Sequence, residues 1–484
     1  MKTINQLIIN CKTLEIIGSL KNEVSSIHFD SRNVTQGSMY VAQKGTHIDG
    51  HLFIDDCISK GSIAIVCEEL PKNIQKNITY IKVENSSFAL GYIASAFFNE
   101  PSKKIKLIGI TGTNGKTTTV TLLHKLFLSL GFNCGLISTV CNKINDTILP
   151  STHTTPDAIN LNILLAEMAD NGCDYVFMEV SSHAVVQNRI AGLEFSGAIF
   201  SNLTHDHLDY HKTFDEYLKA KKQFFDNLST SAFALTNIDD RNGEVMLQNS
   251  KAKKYTYSTR AFANFRCRIM ENQFHGLCLD IDNTEVWFKL VGKFNAYNIM
   301  AVYGTACLLG IDKHEILEKL SGLDSAEGRF EYIRNNEGIT AIVDYAHTPD
   351  ALENVLNTIH DICNGNETII TVIGCGGDRD PLKRPEMAKI ACKLSNKVIL
   401  TSDNPRTEDP NLILEQMKSG IDIVSAKRVL TIENRREAIK TACSLANSGD
   451  VILVAGKGHE KYQEVNGVRT HFDDKEELIN FLNN

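Results

Sequence analysis

The apolar run Ile105–Ile110 breaks into Thr111-Gly-Thr-Asn-Gly-Lys-Thr117, after which Val120, Leu123, Phe127 and Leu130 recur at helical spacing. A strand entering a helix through a glycine-rich turn commits this part of the chain to a parallel α/β unit. The glycines let backbone N–H groups turn inward around a polyphosphate. Lys116 adds a point charge, Thr117 offers a hydroxyl to Mg²⁺, and the helix start contributes its positive end. Strict G-x-x-x-x-G-K spacing would require glycine where Ile110 stands, so the form here is Gly112-x-x-Gly115-Lys116-Thr117. Thr111, Gly112, Thr113, Asn114, Gly115, Lys116 and Thr117 are expected to bind ATP or GTP.

The same alternation continues on both sides of the loop. Before it, Ser26–Ser31, Ser38–Ala42 and Ile63–Cys67 read as short strands, and Glu100-Pro-Ser-Lys-Lys104 reads as a linker. After it, Tyr175–Met178 and Ala198–Phe200 are short apolar runs between helical patterns. At Leu277–Ile281 and Val286–Leu290 the period changes to two, which predicts a small antiparallel ribbon. A further α/β pattern begins near Glu331, with apolar runs at Ile339–Val343, Thr368–Ile373, Val398–Leu400 and Val451–Val454. The expectation is an α/β chain of three domains, 1–99, 100–330 and 331–484, the middle one a parallel-sheet nucleotide-binding domain.

Composition narrows the function classes. A length of 484 residues suits about three domains, and 43% hydrophobic with 22% charged residues is a globular balance. No apolar run approaches the roughly 18 residues needed to span a bilayer, so membrane insertion is not expected. The start, Met1 to Asn10, lacks an unbroken apolar core and a small-residue cleavage site, which argues against secretion. A net charge of -8 without a basic run gives no support for nucleic-acid binding. Thirteen scattered cysteines with no C-x-x-C pair read as reduced core residues in a cytoplasm.

Each apolar run of the last segment is followed by a polar cluster: Asp344-Tyr-Ala-His-Thr-Pro-Asp350, Gly374-Cys-Gly-Gly-Asp-Arg379, Ser402-Asp-Asn-Pro-Arg406 and Gly456-Lys-Gly-His-Glu460. Ligands of open parallel sheets bind outside the carboxyl ends of the strands, so these clusters read as pocket walls. In the middle segment Glu179 ends one strand, and Ser201-Asn-Leu-Thr-His-Asp-His-Leu-Asp-Tyr-His211 follows another. Oxygen ligands suit Mg²⁺, and Glu179 is the natural partner for Thr117. His207 and His211, four apart, also match a zinc pair on a helix, although magnesium is favoured beside a nucleotide.

Phe214, Tyr217, Leu218, Phe224, Phe225 and Leu228 mark the buried stripe of an amphipathic helix, and Lys221 lies on that stripe, seven residues after Phe214. A buried ammonium is costly unless paired or neutralised. Two readings stand: a snorkelling or ion-paired lysine, or a site where the amine is deprotonated and modified.

Taken together, Gly112-Thr-Asn-Gly-Lys-Thr-Thr118, Glu179-Val-Ser-Ser-His183, Asn202-Leu-Thr-His-Asp-His-Leu-Asp209, Gly292-Lys-Phe-Asn-Ala-Tyr-Asn298, Gly328-Arg-Phe330 and Asp344–Asp350 resemble the Mur ligases, ATP-dependent amino-acid ligases of bacterial peptidoglycan synthesis. The resemblance covers all three segments. It implies a uridine-binding N-terminal domain, a central ATPase domain and a Rossmann-like C-terminal domain that carries the incoming amino acid. Asp403-Asn-Pro-Arg406 resembles the motif of members that add meso-2,6-diaminopimelate, rather than L-lysine, to UDP-N-acetylmuramoyl-L-alanyl-D-glutamate.

Residue by residue, the resemblance implies a UDP-sugar contact at Ser31 and sugar-peptide contacts at Thr154, Thr155, Ser181, Gln187 and Arg189. It implies nucleotide contacts at Asn295, Arg329 and Asp344, and a diaminopimelate site at Arg379, Asp403, Asn404, Pro405, Arg406, Gly456 and Glu460. Lys221 falls on a lysine that family members carry as a carbamate, which would hold a second Mg²⁺ with His207. The catalytic set so implied is Lys116, Glu179, His207 and Lys221. His153 stands where some members have Asn, a departure that leaves Thr154 and Thr155 in place.

Overall fold

The computed structural model describes residues 1–45, 48–151, 153–204, 211 and 213–482. The chain divides into two compact units, the first made of residues 1–112, 123–201 and 215–256, the second of 113–122, 202–214 and 257–484. The division passes through the glycine-rich loop.

The first unit opens with a five-stranded sheet in the order Thr13–Ile17, Thr79–Val83, Ala64–Cys67, Met39–Val41, Ile27–His28. All neighbours are parallel except Thr13–Ile17. Ala64, Ile65, Val66 and Cys67 are fully buried, as expected of a strand covered on both faces. Val66 and Ile81 pack with Leu90 and Ile93 of the helix Ser86–Phe97, while Ile65 and Tyr80 join a separate cluster with Tyr40 and Cys57. The predicted strand Ser26–Ser31 is only two residues long, because Asp30 caps a 3₁₀ turn at Ser31–Asn33.

The second sheet of this unit runs Thr147–Leu149, Asn142–Ile144, Cys134–Ile137, Tyr175–Glu179, Lys106–Thr111, Gly197–Phe200, Phe233–Asn237, Lys253–Ser258. From Cys134–Ile137 to Phe233–Asn237 the pairing is parallel. Register places Glu179 beside Ile110 and Phe200 beside Thr111, so the carboxyl ends of three strands share one edge. The helix Phe214–Asp226 lies against the strand Lys106–Thr111: a Cβ on Gly109 would stand 2.6 Å from the Phe224 ring. Glycine in mid-strand is what this close approach requires.

In the second unit, Phe265–Gln273, Gly276–Ile281 and Thr284–Phe288 form the expected antiparallel ribbon, packed by the helix Lys293–Leu308. The C-terminal sheet runs Glu331–Arg334, Thr340–Asp344, Val451–Ala455, Ile369–Ile373, Lys397–Leu400, Val429–Thr431, parallel apart from its first strand. Its four inner strands are buried apolar runs because both of their faces are covered. The helices Pro349–Ile362, Lys383–Leu394 and Pro410–Lys418 pack on Ile342, Val398 and Leu453. Arg435–Leu445 and Asp474–Leu482 pack on Val343, Ile370 and Val454. The last two helices are joined by the fully buried pair Arg435–Asp474, at 2.7 Å.

Candidate active site

In the first unit, Thr111, Glu179 and Ser201 all sit at the carboxyl edge of the central sheet, where parallel strands expose their unpaired ends. Lys221 reaches this edge from the helix Phe214–Asp226. It is 1% exposed, its Nζ donates to the Gly112 carbonyl at 2.9 Å and approaches Thr111 Oγ1 at 3.5 Å, and it lies 4.5 Å from the centre of the Tyr217 ring. The stripe around it is buried as the helical spacing predicts at Tyr217, Phe224, Phe225 and Leu228, whereas Phe214 and Leu218 are half-buried. Snorkelling is thereby replaced by a specific backbone contact: the amine faces the first glycine of the loop, not solvent.

Glu179 is equally buried, and its carboxylate accepts the Thr139 N–H at 2.9 Å and the Thr139 hydroxyl at 3.3 Å. Thr139 Oγ1 lies 2.9 Å from Thr154 Oγ1, and Thr155 Oγ1 donates to the Glu179 carbonyl at 2.7 Å. Arg189 donates to the Thr155 carbonyl at 2.7 Å and, through Nε and a terminal nitrogen, to Gln187 Oε1. Ser181 donates its N–H to Thr155 Oγ1 and caps the helix Ser182–Val186. Thr154, Thr155, Ser181, Gln187 and Arg189 thus form one chain of contacts ending on Glu179. Ser31 lies in the N-terminal sheet region, where its carbonyl accepts from Lys60. Thr155, in contact with Glu179, Ser181 and Arg189, is the hub of this chain of contacts; Thr139, which ties Thr154 to Glu179, follows a buried strand with no motif of its own.

In the second unit, the remainder of the loop opens the helix Lys116–Ser129. Lys116 Nζ donates to the Thr113 carbonyl at 2.7 Å. Arg329 donates to Thr117 Oγ1 at 3.3 Å, and its guanidinium stacks 4.6 Å from the Tyr345 ring centre. Arg329 Nε is buried without a hydrogen-bond partner among the described residues, a donor suited to a phosphate or ribose oxygen. Asp344 accepts the Phe330 N–H at 2.7 Å; burial pushes its carboxyl up, against the pull of Arg329. Gly328 must be glycine, since a Cβ there would stand 2.1 Å from the His459 nitrogen. Asn295 is buried, and Asn298 links it to Thr119 of the loop helix.

Of the predicted acceptor residues, Asp403, Asn404 and Glu460 gather around Lys457, which stands inside the Gly456–Glu460 cluster. Lys457, fully buried, donates to Asn404 Oδ1 at 2.8 Å and the Tyr462 carbonyl at 2.7 Å, with Asp403 at 3.3 Å and Glu460 at 3.9 Å. Glu464 N–H also donates to Asn404 Oδ1, and Asn404 Nδ2 donates to Glu460 at 2.7 Å. Burial raises the Asp403 carboxyl, but Lys457 and Arg435 outweigh it and hold it below the usual range. Burial and the neighbouring Asp403 raise Glu460. Gly456 lets the backbone pass Asp403, as a Cβ would lie 2.9 Å from Oδ2.

Pro405 lies between Asn404 and an unusual Arg406, which has φ +51° and donates to the Gly377 carbonyl at 2.6 Å. The hairpin Tyr462–Val465/Val468–His471 holds that conformation: Arg406 N–H donates to Glu464, and Asn466 N–H to Arg406. Left-handed backbone at a non-glycine residue persists only where the surroundings impose it. Arg379 is exposed, with its Cγ near Gly376.

Hard oxygen donors of the kind Mg²⁺ takes are present in the Glu179 carboxylate and the Thr117 hydroxyl. Among the described residues no group of three or more His, Cys, Asp and Glu is arranged for a metal. His207 lies outside the described residues, so the zinc-like spacing with His211 has no structural counterpart here. Among the described residues no helix is long and apolar enough to cross a membrane.

Residues 23–98 match the catalytic domain of the Mur ligase family, 110–306 the Mur ligase middle domain and 328–458 the Mur ligase glutamate ligase domain. The chain is 56% identical to a UDP-N-acetylmuramoyl-L-alanyl-D-glutamate--2,6-diaminopimelate ligase of Cytophaga hutchinsonii, covering 99% of both chains. A protein of the same description from Phocaeicola vulgatus is 55% identical over 97% of each. A solved structure so described superposes with a TM-score of 0.71 at 32% identity, covering 100% of this chain and 99% of that one. A strand-end edge carrying the glycine-rich loop, three matched segments and full-length identity above half establish that the chain belongs to the Mur ligase family.

Proposed function

We propose that this chain joins an amine of meso-2,6-diaminopimelate to the D-glutamyl γ-carboxylate of UDP-N-acetylmuramoyl-L-alanyl-D-glutamate, driven by ATP, as a step of peptidoglycan synthesis that serves cell shape and division. The observation that carries the acceptor assignment is the fixed carboxamide of Asn404. Its oxygen is taken by Lys457 and Glu464 and one amide hydrogen by Glu460, so the remaining N–H is what it offers a ligand. Two residues on in sequence, Arg406 adds a guanidinium, one nitrogen of which is held by the Gly377 carbonyl. An amide N–H and a guanidinium suit a carboxylate, which the distal end of diaminopimelate has and that of L-lysine lacks. The relatives at 53–56% identity carry the diaminopimelate description, which supports this reading over the L-lysine alternative.

In the reaction, a γ-carboxylate oxygen attacks the γ-phosphorus of ATP, the bond to the bridging oxygen breaks, and ADP leaves. The acyl phosphate is then attacked by the amine at its carbonyl carbon. Phosphate departs with the bonding pair, and the amine nitrogen loses a proton. Lys116 and Arg329 neutralise phosphoryl charge, and catalysis is chiefly positioning and charge stabilisation. Thr117, Glu179, His207 and Lys221 are the residues to hold Mg²⁺, which would spread the phosphoryl charge further. Lys221 would ligate as a carbamate formed from its neutral amine and CO₂ with loss of a proton. The carbamate nitrogen keeps one N–H, so the Gly112 contact is compatible with that change.

In this reading residues 1–99 take the UDP-sugar, with Ser31 in contact, 100–330 the nucleotide and sugar-peptide, and 331–484 the amine. We place the reaction in the cytoplasm, a reducing compartment that suits thirteen free thiols. Phosphate release tests the proposal: it should require both the UDP-dipeptide and diaminopimelate, with lysine and ornithine slower by roughly ten- to a hundredfold, the worth of one charge-assisted bond. Lysine turned over as fast as diaminopimelate would refute the acceptor assignment.

A further inference from the structure

The phosphate loop is braced by residues from two distant parts of the chain. Thr113 N–H donates to the Asn202 carbonyl at 2.8 Å, Asn114 N–H donates to Asn202 Oδ1 at 2.9 Å, and Asn202 Nδ2 returns a bond to the Asn114 carbonyl at 3.1 Å. Thr204 N–H donates to Thr113 Oγ1 at 3.0 Å. The backbone amides of Thr113 and Asn114 are therefore engaged by protein, and the amides that open the helix at Lys116 are the ones lacking an intrahelical carbonyl.

A single carboxylate oxygen joins the two strands of this brace. Asp350 Oδ2 accepts from Asn114 Nδ2 at 2.8 Å and from Thr204 Oγ1 at 3.0 Å, across 236 and 146 residues of sequence. Asn354 Nδ2, one turn on, donates to the same oxygen at 3.2 Å. Asp350 stands in the first turn of the helix Pro349–Ile362, behind its Thr348 cap, where a negative charge is favoured. Three donors thus converge on one oxygen of this side chain.

We propose that Asp350 is a positioning residue for the nucleotide: through Asn114 and Thr204 it sets the shape in which the loop receives the phosphates. The proposal rests on the reading that ATP binds this loop. Asp350 touches the loop's outer residues, so its loss acts on nucleotide affinity through preorganisation and leaves the acceptor cluster around Lys457 untouched.

The test is ADP binding by calorimetry for wild type, Lys116→Ala, Asp350→Ala, Asp350→Asn and Thr204→Val, with the KM of each substrate for all of these but Lys116→Ala. Asp350→Ala should weaken ADP and raise the KM for ATP by about ten- to a hundredfold while the KM for diaminopimelate holds within about twofold. Asp350→Asn and Thr204→Val should fall between it and wild type. ADP bound by Asp350→Ala as by wild type, while Lys116→Ala loses it, would overturn this proposal alone; no ADP binding by wild type would overturn both it and the nucleotide reading. A uniform rise of every KM together with a lowered melting temperature would show a structural role only. If Asp350→Ala does not fold, Thr204→Val decides, and wild-type ADP affinity there would overturn the proposal.

Discussion

Lys221 Nζ donates to the carbonyl of Gly112 at 2.9 Å from a position 1% exposed, which joins the helix Phe214–Asp226 to the first residue of the glycine-rich turn. An amine placed there by a helix stripe is where an anionic modification would put negative charge at the loop. Lys221→Ala should abolish phosphate release, and short carboxylic acids such as acetate should restore part of it by standing in for the carbamate. Full activity in Lys221→Ala would remove the modified lysine from the account.

Lys457 is the shared partner of Asp403, Asn404 and the hairpin that begins at Tyr462. Lys457→Met frees the Asn404 carboxamide to rotate and leaves Asp403 without its nearest cation. The KM for diaminopimelate should rise by about ten- to a hundredfold, the loss of a charge-assisted bond, with the KM for ATP unchanged. Lys457→Arg should recover part of the loss. Steady-state kinetics with each substrate varied in turn checks this.

Arg435 and Asp474 form a pair that is fully buried on both sides, and Arg435 also donates to the Ala455 carbonyl. Removing one partner leaves an uncompensated buried charge, so Asp474→Ala should destabilise the chain by about 3–5 kcal/mol. Urea denaturation followed by circular dichroism measures it. Replacing both residues by apolar ones of similar volume should cost less than the single change.

His124 lies in the loop helix, 1% exposed, with Nε2 lacking a partner among the described residues. Burial, aided by the charge of Lys143, lowers its pKa from 6.5 to about 4. A depressed imidazole contributes stability that is present above its ordinary pKa and lost as pH falls toward the folded value. Melting temperature should therefore decline between about pH 6.5 and pH 4, and His124→Leu should flatten that part of the curve.

Much of the architecture was legible because both faces of the parallel strands are covered, which writes them as unbroken apolar runs such as Val451–Ala455. Helix Phe214–Asp226 was legible from period alone, and with it the odd placement of Lys221. Strands such as Cys134–Ile137 and Phe233–Asn237 were passed over, being short and without flanking motifs. Within the site, residues that carry a motif were found, whereas those that hold motif residues in place were not. Thr139 and Glu464 carry no motif, and although Asp350 closes the Asp344–Asp350 cluster, its contact with Asn114 spans 236 residues that no local spacing announces. Lys457 stood inside a noted cluster, and its burial, not its sequence neighbours, is what distinguishes it.

The central claim is that ATP makes the D-glutamyl carboxylate reactive at the loop carrying Lys116. Positional isotope exchange in ¹⁸O-labelled ATP, run with the UDP-dipeptide and without amine, reads that step directly. The account predicts scrambling of the β,γ-bridge oxygen that depends on the UDP-dipeptide and disappears in Lys116→Ala. Scrambling that persists in Lys116→Ala, or none in an active wild-type enzyme, would contradict it.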